Sequence, residues 1–214
     1  MKRNRIIILI ASCALIGAVT GFFFGRWYND NRRPNFTEKY VLFVRPETSV
    51  QTVIDSLVSG AGAQRPRSLE RCFEEENLAA CMKPGRYVIE PSFTSIYVAR
   101  MLTHGWQTPG KMTLSGTIRT KTRLAQKIAA QMMADSASIA QALDSAEFLQ
   151  PYGFTPENVF AMILPDTYQM YWTASVREIF DRLEKEYDTF WTPERLDKAK
   201  AQKLNQMQVS VLAS

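Results

Sequence analysis

The sequence predicts an α+β fold that follows an N-terminal transmembrane helix, and three observations lead to that prediction. An uncharged apolar run of 19 residues, from Ile6 to Phe24, lies near the start of the chain. Behind it, short runs with strand character alternate with amphipathic helical patterns. The 214 residues of the chain are enough to bury a core without a disulfide framework.

The net charge of the chain belongs to its first 35 residues. The chain has 26 Lys and Arg and 21 Asp and Glu, which gives a net charge of +5. Six of the basic residues and one acid lie in residues 1–35, which leaves 20 of each sign in residues 36–214. A neutral body argues against nucleic acid as a partner, because a nucleic-acid binder carries its positive excess on the folded surface.

The apolar run predicts a membrane anchor over residues 1–28. As a helix, Ile6 to Phe24 would extend about 28 Å, close to the ~30 Å of bilayer hydrocarbon. Trp27 and Tyr28 suit the interfacial aromatic belt, and the basic residues before Ile6 favour an N-terminus inside. We therefore expect a single-pass inner (plasma) membrane protein with its bulk on the periplasmic, extracytoplasmic side. A cleaved signal peptide and a buried helix of a soluble protein are the alternatives.

A polar tether over residues 29–39 precedes the first folded segment. There the pattern predicts a strand over 40–45, a helix over 49–57, a second helix capped by Ser68, a strand over 86–90 and a helix over 94–103. Residues 45–60 align with residues 90–105 at an offset of 45 residues. This offset indicates a repeated strand, turn and helix, and residues from Met112 onward repeat the pattern a third time with a different turn length.

The second half of the chain predicts further helices and one more strand. Apolar residues at helical spacing predict helices around residues 124–132 and 139–146, and Pro151 to Gly153 break the pattern. Tyr168 to Trp172 has strand character. Ser175 and Glu178 form a capping-box pattern that starts a long helix, and Thr192-Pro193 starts another. A last apolar segment runs from Met207 to Ser214.

The cysteine and histidine content gives little support to a metal or cofactor site. The chain has three cysteines and one histidine, without a CxxC motif, so zinc and haem lack ligands and we expect neither a metal nor a cofactor. Cys72 and Cys81 are nine residues apart. They either form a disulfide across a turn or serve as two independent small core residues.

Two features are candidates for function. The first is residues 91–134, which contain six basic residues and no acid; this stretch could face an anionic polymer or be a solvent-exposed helix. The second is Leu164-Pro165-Asp166-Thr167-Tyr168. Here a proline ends an apolar run and is followed by an acid and two hydroxyl residues, so polar groups could project at the end of buried elements. An Asx-turn is the alternative explanation.

These residues resemble a known family. An apolar N-terminal run, a βα segment ending in Lys83-Pro84-Gly85-Arg86-Tyr87, the Pro-Asp-Thr-Tyr bend over 165–168 and a last segment ending in Leu212-Ala213-Ser214 occur in the order typical of endolytic murein transglycosylases, the YceG-like domain family. The resemblance implies a LysM-like βα module over residues 40–110. It implies that residues 111–214 are the N-terminal part of a mixed α/β transglycosylase domain.

The resemblance also implies an activity. Such enzymes cleave MurNAc–GlcNAc bonds of nascent peptidoglycan and leave 1,6-anhydroMurNAc ends, which terminates glycan-strand elongation. It places the catalytic Glu beyond Ser214, so we expect no catalytic residue within the chain and an inactive fragment. It gives Asp166, Thr167 and Tyr168 a substrate-binding role. The expected partners are peptidoglycan glycan strands, the membrane through residues 6–24 and penicillin-binding synthases. The alternative is a noncatalytic, membrane-anchored peptidoglycan-binding or division-scaffold protein.

Overall fold

The computed structural model describes the backbone of residues 2–116 and 118–213 and the side chains of residues 12–116, 118–210 and 212. The chain divides into two compact units, residues 1–108 and residues 109–214. Each unit combines helices with one small antiparallel sheet. The predicted mixture of helices and strands is therefore present. The predicted membrane span is not supported.

Unit 1, residues 1–108, begins with a long helix and continues as two strands with helices between and after them. In chain order its elements are α1 (Lys2–Asn31), β1 (Tyr40–Val44), α2 (Val50–Gly60), α3 (Pro66–Glu75), α4 (Leu78–Cys81), β2 (Gly85–Ile89) and α5 (Ser95–His104). The offset of 45 residues is present in these bounds, because β1 and β2 start at 40 and 85, and α2 and α5 at 50 and 95.

The two strands of unit 1 pair antiparallel around a symmetric centre. Tyr40 lies opposite Ile89, and Val44 lies opposite Gly85. Leu42 and Tyr87 form the central pair, and both are buried in the core of this unit. Local caps fix the helices that follow each strand: Ser49 accepts from the Thr52 N–H ahead of α2, and Thr94 caps α5 in the same way. Such caps satisfy the first free N–H groups of a helix.

The last turn of α1 is bound to α3 by a buried polar network. Asp30 Oδ1 accepts from Arg71 Nη2 at 2.6 Å and Oδ2 accepts from Arg71 Nε at 3.1 Å. Ser68 Oγ donates to the same carboxylate at 2.5 Å and lies 2.8 Å from Ser95 Oγ. Asn35, fully buried, donates from Nδ2 to Ser95 Oγ at 2.9 Å. Each of these polar groups is therefore paired inside the unit, as buried polar groups require.

The predicted transmembrane helix over Ile6 to Phe24 is wrong. Within the residues that the structure describes, no helix is both long enough and apolar enough to cross a membrane. The described side chains of α1 begin at Ser12. Residues 12–24 give only about 20 Å of helix, against the ~30 Å of bilayer hydrocarbon; residues 6–11 of the predicted span lie outside the described side chains.

The same finding contradicts the localisation that we derived from that helix. The single-pass inner-membrane topology, with its periplasmic bulk and its membrane contact through residues 6–24, required a helix able to span the bilayer. The described part of the chain holds no such helix. The helix itself continues through Arg26 and Asn29 to the buried Asp30.

Unit 2, residues 109–214, is built mainly of short helices around one strand pair. Its elements are β3 (Gly110–Leu114), α6 (Lys121–Ala129), α7 (Ser136–Asp144), α8 (Ala146–Leu149), two 3-10 turns (Gln150–Tyr152 and Val159–Met162), β4 (Asp166–Met170), α9 (Val176–Phe190), α10 (Pro193–Ala201) and α11 (Gln206–Ala213). The predicted capping box is confirmed, because Ser175 and Glu178 bond reciprocally at the start of α9.

The core of unit 2 combines buried side chains of α9 with buried side chains of the strand pair. The buried side chains Ile179, Phe180 and Leu183 of α9 share one cluster with Met112 and Tyr168 from the strands. This is the apolar stripe that the helical spacing predicts, with a long helix burying one face.

The cysteines do not pair. Cys13, Cys72 and Cys81 are all free. Cys72 is buried, and burial raises the pKa of its thiol to about 12, with the nearby Asp30 and Glu75 adding to the shift. Cys81 is exposed. Cys72 and Cys81 are therefore independent residues rather than a disulfide, and of the two only Cys72 lies in the core.

Candidate functional site

The Pro-Asp-Thr-Tyr segment leads directly into β4, which starts at Asp166 rather than at Tyr168 as the pattern predicts. β4 pairs antiparallel with β3, so Tyr168 lies opposite Met112 and Thr167 lies opposite Thr113. Successive side chains of a strand point to opposite faces. The three predicted site residues are therefore adjacent in sequence but do not share a face.

Asp166 and Thr167 are exposed, and both are hydrogen-bonded locally. The Asp166 carboxylate accepts from the Thr167 N–H at 2.6 Å. The Thr167 hydroxyl lies 3.1 Å from the Thr113 hydroxyl across the strand pair. The exposed face of the sheet continues through Gln169, which lies opposite Lys111. This face presents two hydroxyls, an amide and an ammonium group to solvent.

Tyr168 lies on the other face, in the core of unit 2. Only 1% of the residue is exposed. Its hydroxyl donates to the Leu164 carbonyl oxygen at 2.6 Å. Burial raises the pKa of this phenol, and the negative charges of Asp166 and Glu186 raise it further. Asp166 and Thr167 are thus both exposed, but Thr167 lies on the outer face and Asp166 lies at the start of the strand on the same face as Tyr168, which has the surroundings of a core residue.

The outer edge of β3 is covered by a side chain that the sequence did not single out. Gln131 accepts from the Thr113 N–H at 2.8 Å and donates to the Thr113 carbonyl oxygen at 3.1 Å. Its amide therefore takes the place of a neighbouring strand and blocks pairing there. In the turn that follows β3, Lys127 Nζ donates to the Ser115 carbonyl oxygen. No local sequence signal marks Gln131, because its partner lies 18 residues away.

An open cleft of about 290 Å³ continues from the C-terminal end of β4. It is lined by Met170, Tyr171, Thr173, Ala174, Glu178 and Arg182. The side chain of Tyr171 is the aromatic group on this lining, and the residue is 53% exposed. The sequence pattern placed Tyr171 only within the predicted strand from Tyr168 to Trp172.

The two charged side chains of this cleft are already engaged in unit 2. Glu178 accepts from the Ser175 N–H at 2.7 Å and from the Ser175 hydroxyl at 2.8 Å, and these hydrogen bonds lower the pKa of the carboxyl. Arg182 Nη2 pairs with Glu186 at 2.7 Å. The cleft therefore combines an aromatic ring and uncharged polar groups with fixed charges at its side. Such a surface suits a neutral polyol better than a strongly charged ligand.

The basic stretch over residues 91–134 does not form one uncompensated face. Arg100 belongs to unit 1, where its Nε pairs with Glu76 at 2.7 Å. Lys121 of α6 pairs with Asp144 at 2.7 Å. Glu76 and Asp144 lie outside residues 91–134 in the sequence, but in the folded chain they form ion pairs with cations of that stretch.

No carboxyl group of the described part of unit 2 is buried. Glu184 of α9 is half-buried, and its pKa is raised by burial and then by the neighbouring charges of Asp188 and Asp181. The described residues contain no group of three or more His, Cys, Asp and Glu that could hold a metal ion.

Comparisons with known proteins give one family. A family model described as the YceG-like family matches residues 42–214. A crystal structure of a YceG-like protein of Listeria monocytogenes is 19% identical, with a TM-score of 0.45, and the match covers 79% of this chain. The chain spans 60% of that protein. No curated protein matches the chain. No LysM module is among these matches, and that module stays a prediction for residues 40–110.

Proposed function

The chain belongs to the YceG-like family, which confirms the family resemblance, and from this premise we propose that it handles peptidoglycan glycan strands as part of a lytic transglycosylase. The family match over residues 42–214 is the observation that carries the proposal. The family is consistent with murein transglycosylases. The proposed reaction cleaves the MurNAc–GlcNAc bond of nascent peptidoglycan and leaves 1,6-anhydroMurNAc ends, which terminates strand elongation.

The exposed face of the β3–β4 sheet supports a sugar ligand. Thr113 and Thr167 offer hydroxyls, and Gln169 offers an amide, so the face both donates and accepts hydrogen bonds. Tyr171 in the adjoining cleft adds an apolar ring with a polar tip, as ligand sites for amphipathic molecules often do. Asp166 lies at the start of this strand. We propose that Asp166 and Thr167 bind the glycan, while Tyr168 holds the strand that carries them.

The proposed chemistry needs one carboxyl group that changes its protonation state. That group protonates the glycosidic oxygen as the bond to MurNAc C1 breaks, and it takes the proton of the C6 hydroxyl as the C6 oxygen bonds to C1. Because the attack is intramolecular, the second carboxylate of ordinary glycosidases is not required. An acid with this role needs a raised pKa, and burial is the usual means. Asp166 is exposed, which fits a binding role.

We propose that the catalytic Glu is not among the described residues. Penicillin-binding synthases are the proposed source of the nascent strand, because an enzyme that terminates elongation must meet the strand where it is made. A noncatalytic peptidoglycan-binding or scaffold role is the second candidate. It rests on the exposed polar face of the β3–β4 sheet, which could bind a glycan without a catalytic group.

An activity assay separates the two candidates. The protein expressed from its whole reading frame is incubated with purified glycan strands, and anhydro-ended muropeptides are quantified by mass spectrometry. Binding is measured in parallel by sedimentation with sacculi. The transglycosylase proposal predicts new anhydro ends, whereas binding without new ends supports the scaffold role and excludes the enzyme. If neither binding nor cleavage occurs, both candidates fail.

Variants of the exposed strand test the binding surface itself. Asp166→Asn removes a charged acceptor, and losing a hydrogen bond to a charged group costs about 1.5–3 kcal/mol. We expect about tenfold weaker binding to sacculi. Asp197→Asn is the matched control, because Asp197 is also an exposed acid of unit 2, on α10. Equal affinities of the two variants would show that Asp166 makes no contact with the glycan.

A further inference from the structure

A cleft of about 580 Å³ in unit 1 lies between the end of α1 and the start of α3. Its lining includes four arginines and two polar residues: Arg26, Asn29, Arg65, Arg67, Ser68 and Arg71. The proposed glycan function does not use this cleft, since the residues assigned to the glycan all belong to unit 2. The concentration of guanidinium groups around one concavity is therefore a separate feature of the molecule.

Among the described residues, Arg71 is the arginine of this lining that is hydrogen-bonded to an acid. Arg71 makes the two hydrogen bonds to the buried Asp30, and that contact, together with the charges of Asp30 and Glu70, raises the pKa of its guanidinium. Glu70 is the one acid on the lining of this cleft. The four arginines of the lining thus face two acids, Glu70 and the buried Asp30, and the charge of Asp30 partly offsets the lowering of the Arg65 pKa by burial. The cleft therefore carries a positive excess that the described residues of its wall do not neutralise.

Arg65 is fixed in place and has an unused donor. Its Nη2 donates to the carbonyl oxygens of Arg33 and Pro34 at 3.0 and 2.9 Å. Its Nε is buried and has no hydrogen-bond partner among the described residues. The pKa of this guanidinium is lowered, first by burial and then by the positive charge of Arg33. A buried donor without a partner is uncommon and calls for a physical explanation.

The backbone adds to the positive potential of the cleft. α3 is ten residues long and starts with Pro66 after Arg65, and no side chain caps its first turn. The positive end of the helix dipole attracts anions, although Pro66 has no N–H and the N–H groups of Ser68 and Leu69 donate to the Arg65 carbonyl oxygen. Arg67 lies in this uncapped first turn and is exposed. The helix end and the arginines thus act on the same side of the cleft.

We propose that this cleft is a binding site for a phosphate group. A phosphate carries more negative charge than a carboxylate at neutral pH and offers at least three acceptor oxygens. Its tetrahedral oxygens can engage several guanidinium groups at once, and the planar fork of arginine pairs with phosphate in bidentate fashion. A neutral sugar would not compensate the excess positive charge of the cleft. The phosphate could belong to a soluble ester or pyrophosphate, or to a lipid headgroup.

Isothermal titration calorimetry on the full chain tests the site. Inorganic pyrophosphate and inorganic phosphate are the soluble probes, and acetate is the carboxylate comparison. We expect pyrophosphate to bind more tightly than acetate and the affinity to fall as salt rises. Arg67→Gln is expected to weaken binding about tenfold, which corresponds to ~1.4 kcal/mol. Arg123→Gln, an exposed arginine of unit 2, is the matched control and should bind as the wild type does.

Vesicles distinguish the two sources of the phosphate. Co-sedimentation compares vesicles of phosphatidylglycerol with vesicles of phosphatidylcholine, each with the wild type and with Arg67→Gln. Binding to phosphatidylglycerol that Arg67→Gln abolishes assigns a lipid headgroup, and binding of pyrophosphate alone assigns a soluble ligand. The proposal is overturned if no probe binds, if acetate binds as well as pyrophosphate, or if both arginine variants lose affinity equally. None of these outcomes depends on glycan cleavage.

Discussion

Replacing Tyr168 with Phe separates a structural role of this residue from the substrate-binding role that the sequence implied. The ring is buried and its hydroxyl donates to the Leu164 carbonyl oxygen at 2.6 Å. The substitution keeps the ring and leaves no large cavity, so the main loss is one buried hydrogen bond, worth about 1–2 kcal/mol. We therefore expect unit 2 to lose that much stability and the protein to keep its affinity for sacculi.

The pH dependence of this effect follows from the direction of the pKa shift. Burial raises the pKa of Tyr168 above the unfolded value of about 10. The neutral phenol therefore stabilises the fold fully below pH 10, and this contribution is lost as the pH rises above the unfolded pKa. Phe has no proton to lose. The stability difference between wild type and variant should thus shrink by about 1 kcal/mol between pH 7 and pH 10.5.

Urea denaturation followed by circular dichroism measures both quantities. Tyr171→Phe is the matched control, because that ring is 53% exposed, and we expect its unfolding free energy to change by less than about 0.5 kcal/mol. A Tyr168→Phe variant of unchanged stability but reduced affinity for sacculi would refute the reasoning. That result would mean that the Tyr168 hydroxyl reaches the glycan and that its burial does not describe the functional state.

Three further predictions concern the two cores and the strand edge. Burial raises the pKa of Tyr87 to about 12, so the contribution of its neutral phenol to stability should fall by about 2 kcal/mol as the pH rises from 10 to 12. The difference in unfolding free energy between wild type and Tyr87→Phe, measured in urea, should shrink by that amount. Gln131→Ala removes the amide that covers β3, and we expect concentration-dependent association in light scattering, which Gln202→Ala on α10 should not cause. Asp30→Asn combined with Arg71→Met in a double-mutant cycle should give a coupling energy of about 1–3 kcal/mol; a value near zero would show that the ion pair does not stabilise unit 1.

Local rules predicted most of the elements because their signals lie within a few residues. The capping box at Ser175 and Glu178 is one example, since both of its hydrogen bonds span three residues. The start of β4 could not be fixed in this way. The pattern favoured Tyr168 as the first strand residue, but pairing with β3 begins at Asp166, opposite Leu114. The bounds of a strand depend on its partner, and that partner lies some 50 residues earlier.

Long-range partners also explain the residues that the sequence analysis misjudged or missed. Ser68 was predicted to cap a helix, but α3 starts earlier, at Pro66, and Ser68 lies inside it. There its hydroxyl donates to Asp30, 38 residues away. The Arg71 contact with Asp30 spans 41 residues. No periodicity or motif links these positions, so the arginine-lined cleft was not visible in the sequence.

The repeat in the sequence accounts for the strand pairing of unit 1 but not for that of unit 2. Leu42 and Tyr87 form the central pair of the sheet in unit 1. They are 45 residues apart, so they occupy the same position in the two copies of the repeat. Two copies of one βα module thus complete a sheet through an antiparallel pairing that is symmetric about this pair. The third module, β3 with α6, pairs instead with β4, from a segment without the repeat. The outer face of this strand pair carries the exposed Thr167 and Gln169, and Asp166 is exposed at the start of β4.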